Sequence, residues 1–184
     1  EGDTGVNRVI FRNTRFDASF QEAPGQWGGL VFFPGSRGNT ISHTTLENAQ
    51  SAFFCFGTNS LADQVEIKMD HTLIRNMSGA GIQAFSSDIS MSNSLIHNCS
   101  AFLFSSFVGG RYTFDHCTLT NEPNFFVRDE PSFAVLDNFP NDPSLVGDIQ
   151  LQLTNSIVWG SELSEFLVAN PNGGAVELVI ENNI

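Results

Sequence analysis

The chain has 184 residues, with 8 basic and 20 acidic side chains and a formal net charge of −12. A chain this acidic repels phosphate backbones and has no basic stripe, so we expect it to bind neither nucleic acid nor anionic membranes. No apolar run approaches the roughly 20 residues of a membrane-spanning helix, and no secretory leader opens the chain. The length fits one domain, residues 1–184, with a continuous core.

Residues 1–28 hold a partial first repeat, from Asn7 to Asn13, and then an irregular loop over residues 16–28. The loop ends in Pro24-Gly-Gln-Trp-Gly-Gly29, where the proline and paired glycines indicate a turn. We expect the Trp27 side chain to cover the side of the stacked strands below the loop. A platform on which a sugar ring stacks is the alternative.

A pattern of two short strands meeting at a small polar bend recurs along the chain. Its clearest copy is Ile89–Asn98, where apolar side chains alternate with polar ones on both sides of Ser92-Asn93. The other copies are Asn39–Asn48, Val65–Asn76, Arg111–Asn121 and Ile149–Gly160. Repeats spaced mostly in the twenties, with inserted loops, indicate a solenoid in which each coil packs only against its neighbours.

Aligning the copies predicts columns of stacked side chains. The first apolar column is Ile41, Met69, Met91, Phe114 and Leu153, with Phe11 and Ile180 as weaker members at its ends. The second apolar column is Leu46, Ile74, Ile96, Leu119 and Val158. A further strand between the copies predicts a third column of Leu30, Phe53, Ile82, Phe102, Phe133 and Phe166. Four residues that end successive copies predict an amide ladder of Asn48, Asn76, Asn98 and Asn121.

Residues 122–148 depart from this rhythm. Loops rich in Pro, Asn and Asp surround a predicted strand, Ser132–Leu136. Such insertions often lie on the functional, ligand-binding face of a solenoid. The calcium candidates in this region, which lack a recognisable ligand spacing, are Asp137, Asn138, Asn141, Asp142 and Asp148. We therefore expect no cofactor, with Ca²⁺ as the alternative. The repeats resume over 149–184, and the last strand leaves an unpaired edge.

Three cysteines occur at irregular spacing, without a C-x-x-C motif. We interpret Cys55, Cys99 and Cys117 as small core residues. Cys99 and Cys117 fall on adjacent repeats, so a disulfide between them stays open.

Outward positions on the bent strands predict a polar column of Glu47, Arg75, His97, Thr120 and Trp159. A groove with a carboxylate, a guanidinium, an imidazole and an indole can bind sugars by hydrogen bonds and by stacking on the indole face. The alternative is a solvated face whose surface ion pair contributes little energy.

The bends carry a second set of polar residues, Asp70-His71 and Asp115-His116, with Ser92-Asn93 on the repeat between them. Two repeats separate the aspartates by roughly 9 to 10 Å, the upper end of the carboxylate spacing of an inverting glycosidase. The alternative is structural, because tight bends favour Asp, Asn and His. The four histidines, His43, His71, His97 and His116, do not fall in one column, so we expect no metal site.

Several stretches carry a resemblance to a known family. P-G-Q-W-G-G-L, N-T-I-S-H-T-T-L-E-N-A, G-G-R-Y-T-F-D-H-C-T-L and N-S-I-V-W-G are similar to right-handed parallel β-helix proteins of the pectin-lyase-like superfamily. Within it, the chain most resembles large secreted or lipid-anchored, functionally uncharacterised β-helix proteins of Bacteroidetes. The resemblance covers residues 9–184. It implies an all-β, right-handed, single-stranded parallel β-helix of about seven rungs, exported to the cell surface or beyond and truncated at both ends.

The superfamily's catalytic motifs do not map onto these residues, and Lys68 is the only lysine available as a lyase base. We therefore expect a non-catalytic, glycan-binding or surface-scaffold segment that acts through the Glu47–Trp159 column and the 122–148 loops. The alternative is a polysaccharide hydrolase or lyase that uses Asp70 and Asp115, with His71 and His116 beside them. A third possibility is a structural role, in which the stacked strands serve only as a support that positions neighbouring rungs or domains of the same chain.

Overall fold

The computed structural model describes residues 8–15, 17–60, 62–122 and 127–184. In these ranges the chain forms eighteen β-strands and no helix. All strand pairings there are parallel except one small antiparallel pair. The prediction of an all-β protein built from parallel strands is confirmed.

One parallel sheet contains the second halves of the predicted bent strands, and we call it row A. Its strands lie in the order β1-β4-β7-β9-β11-β16. They are β1 (Val9–Phe11), β4 (Thr44–Glu47), β7 (Leu73–Met77), β9 (Leu95–Cys99), β11 (Thr118–Thr120) and β16 (Ile157–Trp159).

A ten-stranded sheet contains two more rows, because two long strands serve both. Row B consists of β2 (Leu30–Phe32), β5 (Phe53–Phe56), the first parts of β8 (Ile82–Ser92) and β10 (Phe104–Asp115), β12 (Phe133–Leu136) and β17 (Phe166–Ala169). Row C consists of β3 (Asn39–Ser42), β6 (Glu66–Asp70), the second parts of β8 and β10, β15 (Ile149–Thr154) and β18 (Val176–Glu181). From β2 onward the chain visits rows B, C and A in turn and repeats this cycle.

The first two predicted columns form the core, with one correction. The strand registers align Ile41, Met69, Met91, Phe114, Leu153 and Ile180 in row C. Phe11 is not part of this column, because it pairs with Leu46 and so begins the second column in row A. In the described part of the chain the first column therefore has six members where seven were predicted, and the second column has six where five were predicted.

The third column was wrong at one position. Phe104, not Phe102, pairs with Ile82 and Phe133 in row B. The carbonyl of Phe102 accepts a hydrogen bond from the Gly81 amide (2.9 Å), so Phe102 still belongs to the turn and β10 begins two residues later. The Phe104 ring is fully buried, whereas Phe102 is half-buried.

The asparagines at the ends of the row A strands are buried, but they form only a short amide ladder. The Nδ2 group of Asn76 donates to Asn48 Oδ1 (3.4 Å), and Asn48 Nδ2 donates to Asn13 Oδ1 (2.9 Å). Asn98 and Asn121 instead accept hydrogen bonds from backbone amides. Asn48, Asn76 and Asn98 all have φ between 57° and 62°, a left-handed conformation that asparagine tolerates better than most residues. The turn geometry therefore explains this column better than a continuous ladder does.

The predicted strand at 132–136 is present as β12, but the segment after it is not simply a loop. It contains the antiparallel pair β13 (Asn138–Phe139) and β14 (Asp142–Val146). The Phe139 ring packs edge-on against Phe85 at 5.6 Å and Phe107 at 5.9 Å, so this segment folds back over row B. Residues 1–7, 16 and 123–126, which belong to the predicted first repeat and to the two irregular loops, lie outside the described residues.

The three cysteines are buried free thiols, as expected for core residues. Burial raises the pKa of Cys55 and of Cys99 to about 12. Burial also raises the pKa of Cys117 to about 11. Thiols with such pKa values stay protonated at neutral pH and are poor nucleophiles. A membrane-spanning helix is not found among the residues that the structure describes.

Candidate functional site

The predicted polar column exists as a geometric feature of row A. The registers pair Glu47 with Arg75, Arg75 with His97, His97 with Thr120, and Thr120 with Trp159. Neighbouring strands in a sheet lie about 4.8 Å apart, so these five side chains follow one line across the sheet. Whether this column binds a ligand stays a prediction.

At one end of this column, the Glu47 carboxylate is paired with arginine side chains of the same chain. Glu47 is only 6% exposed. Its Oε2 accepts hydrogen bonds from Nε and Nη2 of Arg75 at 2.9 and 2.8 Å, and its Oε1 lies 3.8 Å from Arg12 Nη1. A buried carboxylate paired in this way is a structural group, because removing either partner leaves an uncompensated charge. Glu47 is therefore not half of a weak surface pair, although with Arg75 it also lines an open cleft of about 460 Å³.

The other end of the column is more open. Trp159 is 48% exposed, and Thr120 is half-buried. The pKa of His97 is lowered, first by burial and then by the positive charge of Arg75. His97 is consequently a neutral hydrogen-bonding group at neutral pH, and Trp159 is the most exposed member of the column.

The two predicted Asp-His units have the same construction. Asp70 Oδ1 accepts hydrogen bonds from Ser92 Oγ (2.9 Å) and Asn93 Nδ2 (3.0 Å), and its Oδ2 lies 2.6 Å from His71 Nδ1. In the same way, Asp115 Oδ1 accepts bonds from the Thr154 hydroxyl and the Asn155 amide, and its Oδ2 lies 2.9 Å from His116 Nδ1. Each carboxylate thus joins its own bend to the bend on the next strand of row C.

The residue that directly follows each row C strand has a left-handed backbone. The φ values lie between 48° and 56° for His43, His71, Asn93, His116, Asn155 and Asn182. Asn and His adopt this conformation more readily than most residues, and their side chains can bond to neighbouring groups. The backbone of the bend therefore accounts for the residue types, including three of the four histidines.

The environment of the two aspartates argues against an inverting glycosidase. Hydrogen bonds from Asn93 and His71 lower the pKa of Asp70 to about 2. Bonds from Asn155, His116 and Thr154 likewise lower the pKa of Asp115 to about 2. An inverting enzyme needs one carboxyl group with a raised pKa that remains protonated and can donate to the leaving oxygen. Both groups here are ionised at neutral pH, so the pair lacks the acid.

The lowered pKa of Asp115 makes a prediction about acid stability. A carboxyl group with a lowered folded-state pKa stabilises the fold fully above its ordinary value of about 3.9, and this contribution is lost as the pH falls to about 2. Asp115→Asn is therefore expected to be less stable than the native chain at neutral pH, with the difference shrinking between about pH 4 and pH 2. Urea unfolding at a series of pH values measures this difference.

A suitable control for this experiment is Asp17→Asn, because the Asp17 carboxylate is 73% exposed and forms a surface ion pair with Arg15 at 3.6 Å. It is expected to change stability little at any pH. A stability difference for Asp115→Asn that is constant across the acid range would contradict the assignment of Asp115 as an ionised bridge between the bends.

A cleft lies beside Trp27, the residue that the sequence offered as an alternative sugar platform, and we call it the Trp27 cleft. It has a volume of about 550 Å³ and lies beside the turns that lead into row B. Three aromatic side chains, Trp27, Phe54 and Phe102, line it together with hydrogen-bonding groups that include Gln50 and Gln83. None of the residues that line it is charged. The combination of aromatic surface, amides and hydroxyls suits a neutral polar ligand with apolar faces.

The loop that carries Trp27 is firmly attached to its neighbours. The Trp27 indole donates from Nε1 to the Glu47 carbonyl oxygen at 2.8 Å, and the Trp27 carbonyl accepts from the Gln50 amide at 2.7 Å. Gly29 has φ of +107°, and a Cβ at that position would lie 1.8 Å from the Ser51 carbonyl oxygen, so only glycine fits. Trp27 is half-buried, so it both covers the core, as predicted, and lines the cleft.

Three of the predicted calcium residues accept hydrogen bonds from the chain itself. Asp137 Oδ2 accepts from the amides of Asn172 and Gly174, Asp148 Oδ1 accepts from the Ala175 amide, and Asp142 Oδ1 accepts from Ser144. None of the three belongs to a cluster of metal-ligating side chains within the described ranges. They act as acceptors that hold the surrounding loops.

Comparison of the chain with protein-family models, with curated proteins and with solved structures found no match.

Proposed function

We propose that the chain is a right-handed parallel β-helix that acts as a non-catalytic, exported glycan-binding module. The cyclic visits to rows B, C and A, and the three six-membered columns, support a coil whose turns stack on one another. The right hand follows the strong preference of crossover connections between parallel strands. The resemblance to pectin-lyase-like β-helix proteins of Bacteroidetes supports the same fold and a location outside the cell or on its outer surface.

The observation that carries the glycan proposal is the Trp27 cleft. Sugar rings present apolar C–H faces to aromatic side chains and hydroxyl groups to amides, and this cleft offers both kinds of surface without a charge. A lining without basic residues favours a neutral glycan over a uronate. The exposed end of the Glu47–Trp159 column, with His97 and Trp159, is the second candidate surface on the same molecule.

Flanking rungs or domains of the same chain are the proposed structural partners. Strand β18 has an unpaired edge, and its core-column residues Val176, Leu178 and Ile180 are 39 to 47% exposed. Apolar residues on a free parallel edge are an aggregation hazard unless another strand covers them. A further turn of β-helix would continue all three columns and remove the exposed edge.

A neutral-glycan panel tests the binding proposal, followed by calorimetry with the best ligand. Phe102→Ala and Gln83→Ala are expected to weaken binding at least about 10-fold each, equivalent to about 1.4 kcal/mol. Trp159→Ala probes the second candidate surface, and Phe33→Ala, at a position that is 68% exposed and belongs to neither surface, is the control that is expected to leave affinity unchanged. If Trp159→Ala removes binding while the two cleft variants do not, the site is the column and not the cleft. Absence of binding to any glycan in the panel would contradict the function.

A polysaccharide-degrading enzyme is the alternative function. It predicts release of reducing sugar from polysaccharides by the native chain and loss of that release in Asp70→Asn and Asp115→Asn. The ionised state of both aspartates argues against it, because neither can serve as the acid. Sugar release that depends on these two residues would replace the binding proposal with this one.

A further inference from the structure

Three side chains at the bends of row C form a cluster, although the sequence pattern, which places His43 one repeat before His71, predicted no metal site. The ligand atoms of His43, Asp70 and His71 all lie within 4.8 Å of one another. The imidazole rings of His43 and His71 stack with centroids 4.8 Å apart and an angle of 20° between their planes. The cluster arises because His43 and His71 occupy the same left-handed position on successive bends.

The chain holds the carboxylate of this cluster in a fixed orientation. Ser92 and Asn93 donate to Asp70 Oδ1, so Oδ2 is the oxygen that faces His71 Nδ1 at 2.6 Å. The side chains of Asp70 and His71 are 42% and 50% exposed, so solvent reaches the cluster from one side. Two imidazoles and one oriented carboxylate, with an open side for water, are the ligand set of an open transition-metal site.

We propose that His43, Asp70 and His71 bind a divalent transition-metal ion, with Zn²⁺ as the reference ion. The ion takes the place of the proton between Asp70 Oδ2 and His71 Nδ1, and the His71 ring stays neutral because its single proton then resides on Nε2. His43 supplies the third ligand. Zinc–nitrogen and zinc–oxygen bonds are about 2.0 to 2.2 Å long, so the side chains have to close around the ion by small rotations.

Two charges act on an ion in this cluster. The positive charge of Arg8, whose Nη2 donates to the His71 carbonyl oxygen at 2.8 Å, opposes cation binding. The Asp70 carboxylate offsets it. Imidazole nitrogen selects zinc, copper, nickel and cobalt over calcium and magnesium, which prefer an all-oxygen set.

The second Asp-His unit provides an internal comparison. Asp115 and His116 are arranged like Asp70 and His71, and they too have a hydroxyl and an asparagine on the next strand. The preceding bend, however, carries Asn93 where the first unit has His43. The second unit therefore has two of the three ligands, and we expect it not to bind the ion.

Calorimetric titration of the full chain with zinc chloride, in a buffer that does not bind zinc, tests the proposal. We expect one equivalent of Zn²⁺ to bind, and Co²⁺ to bind with visible absorption bands from its coordinated form. His43→Asn is expected to weaken zinc binding at least about 10-fold. Asparagine keeps the left-handed backbone, because Asn93 and Asn155 already occupy equivalent positions.

His116→Asn is the matched control, because it makes the same substitution at an equivalent bend and is expected to change zinc affinity less than about 2-fold. His71→Asn is a second ligand variant that replaces His43→Asn if the latter fails to fold, as judged by circular dichroism. Absence of stoichiometric zinc binding, or equal losses in His43→Asn and His116→Asn, would overturn the proposal. The glycan experiment is independent of this result, because no sugar is present in the titration.

Discussion

Phe104→Ala is expected to lower the free energy of unfolding by about 3 to 5 kcal/mol. The Phe104 ring is fully buried and contacts three other rings, those of Tyr112, Phe114 and Phe133, at centroid distances of 5.1, 4.9 and 5.0 Å. Truncation removes the apolar contact and leaves a cavity that the stacked strands on both sides cannot close, because their registers are fixed by parallel pairing.

The matched control for this prediction is Phe102→Ala, two residues away. The sequence pattern placed Phe102 in the core column, whereas the structure places it, half-buried, at the wall of the Trp27 cleft. Its truncation is expected to cost less than about 1.5 kcal/mol, because the ring is only partly buried and lines an open cleft, so its loss leaves no enclosed cavity. Urea unfolding of the two variants tests whether Phe104 or Phe102 occupies the core column. Equal losses, or a larger loss at Phe102, would show that the register of β10 is wrong.

Glu165→Gln is expected to destabilise the chain by about 3 to 5 kcal/mol, because it leaves a buried arginine without its counter-charge. The side chain of Arg128 is 2% exposed, and its Nη2 lies 2.9 Å from Glu165 Oε1. The Nη1 group of Arg128 donates to the Glu130 carbonyl and the Ser132 hydroxyl. Glu165 also accepts hydrogen bonds from the amides of Ser132 and Glu162, so this one carboxylate organises the connection into β12.

Two controls separate this buried pair from an ordinary ion pair. Glu66→Gln removes a surface pair with Arg37, whose charged atoms are 3.9 Å apart, and is expected to cost less than about 1 kcal/mol. The double variant Arg128→Met with Glu165→Leu removes both charges, and it is expected to be more stable than Glu165→Gln alone. If the double variant is less stable than the single one, the ion pair does not act as a coupled unit.

The same pair has a defined pH dependence. Burial raises the pKa of Glu165, but hydrogen bonds from Ser132, Glu162 and Arg128 outweigh burial and leave the pKa lowered. Its contribution to stability is therefore complete above the ordinary glutamate pKa of about 4.3, and it is lost as the pH falls through the lowered folded-state value. The stability difference between the native chain and Glu165→Gln is expected to shrink over that acid range.

Much of the core could be predicted from the sequence because its cause is local. In a strand, alternate side chains point to opposite faces, so the inward residues of each repeat are visible as a period of two. Stacking identical repeats in parallel then aligns like positions, which is why Met69, Met91 and Phe114 fall in one buried column. The same reasoning located the Glu47–Trp159 column and the Asp-His bends.

The predictions that the structure contradicts concern the turns and loops between strands. Residues two apart in a strand point to the same face, so Phe102 and Phe104 fit the same alternation of inward and outward side chains. Only the backbone pairing shows that the turn before β10 is two residues longer and that Phe104 is the core residue. In a similar way, the pattern alone predicted a simple loop after β12, because the packing of Phe139 on Phe85 and Phe107 joins residues far apart in the chain.

The sequence by itself determined which residues form strands, which of their faces turn inward and which positions recur, since all of these depend on neighbours within a few residues. Only the tertiary structure decided what the polar positions do. Glu47 is buried between arginines, Arg128 finds Glu165 from a distant segment, and three aromatic residues from separate segments form the Trp27 cleft. The physical reason is that burial, charge pairing and ligand clusters depend on distances between atoms far apart in the chain, and the turns and loops that set those distances follow no repeat.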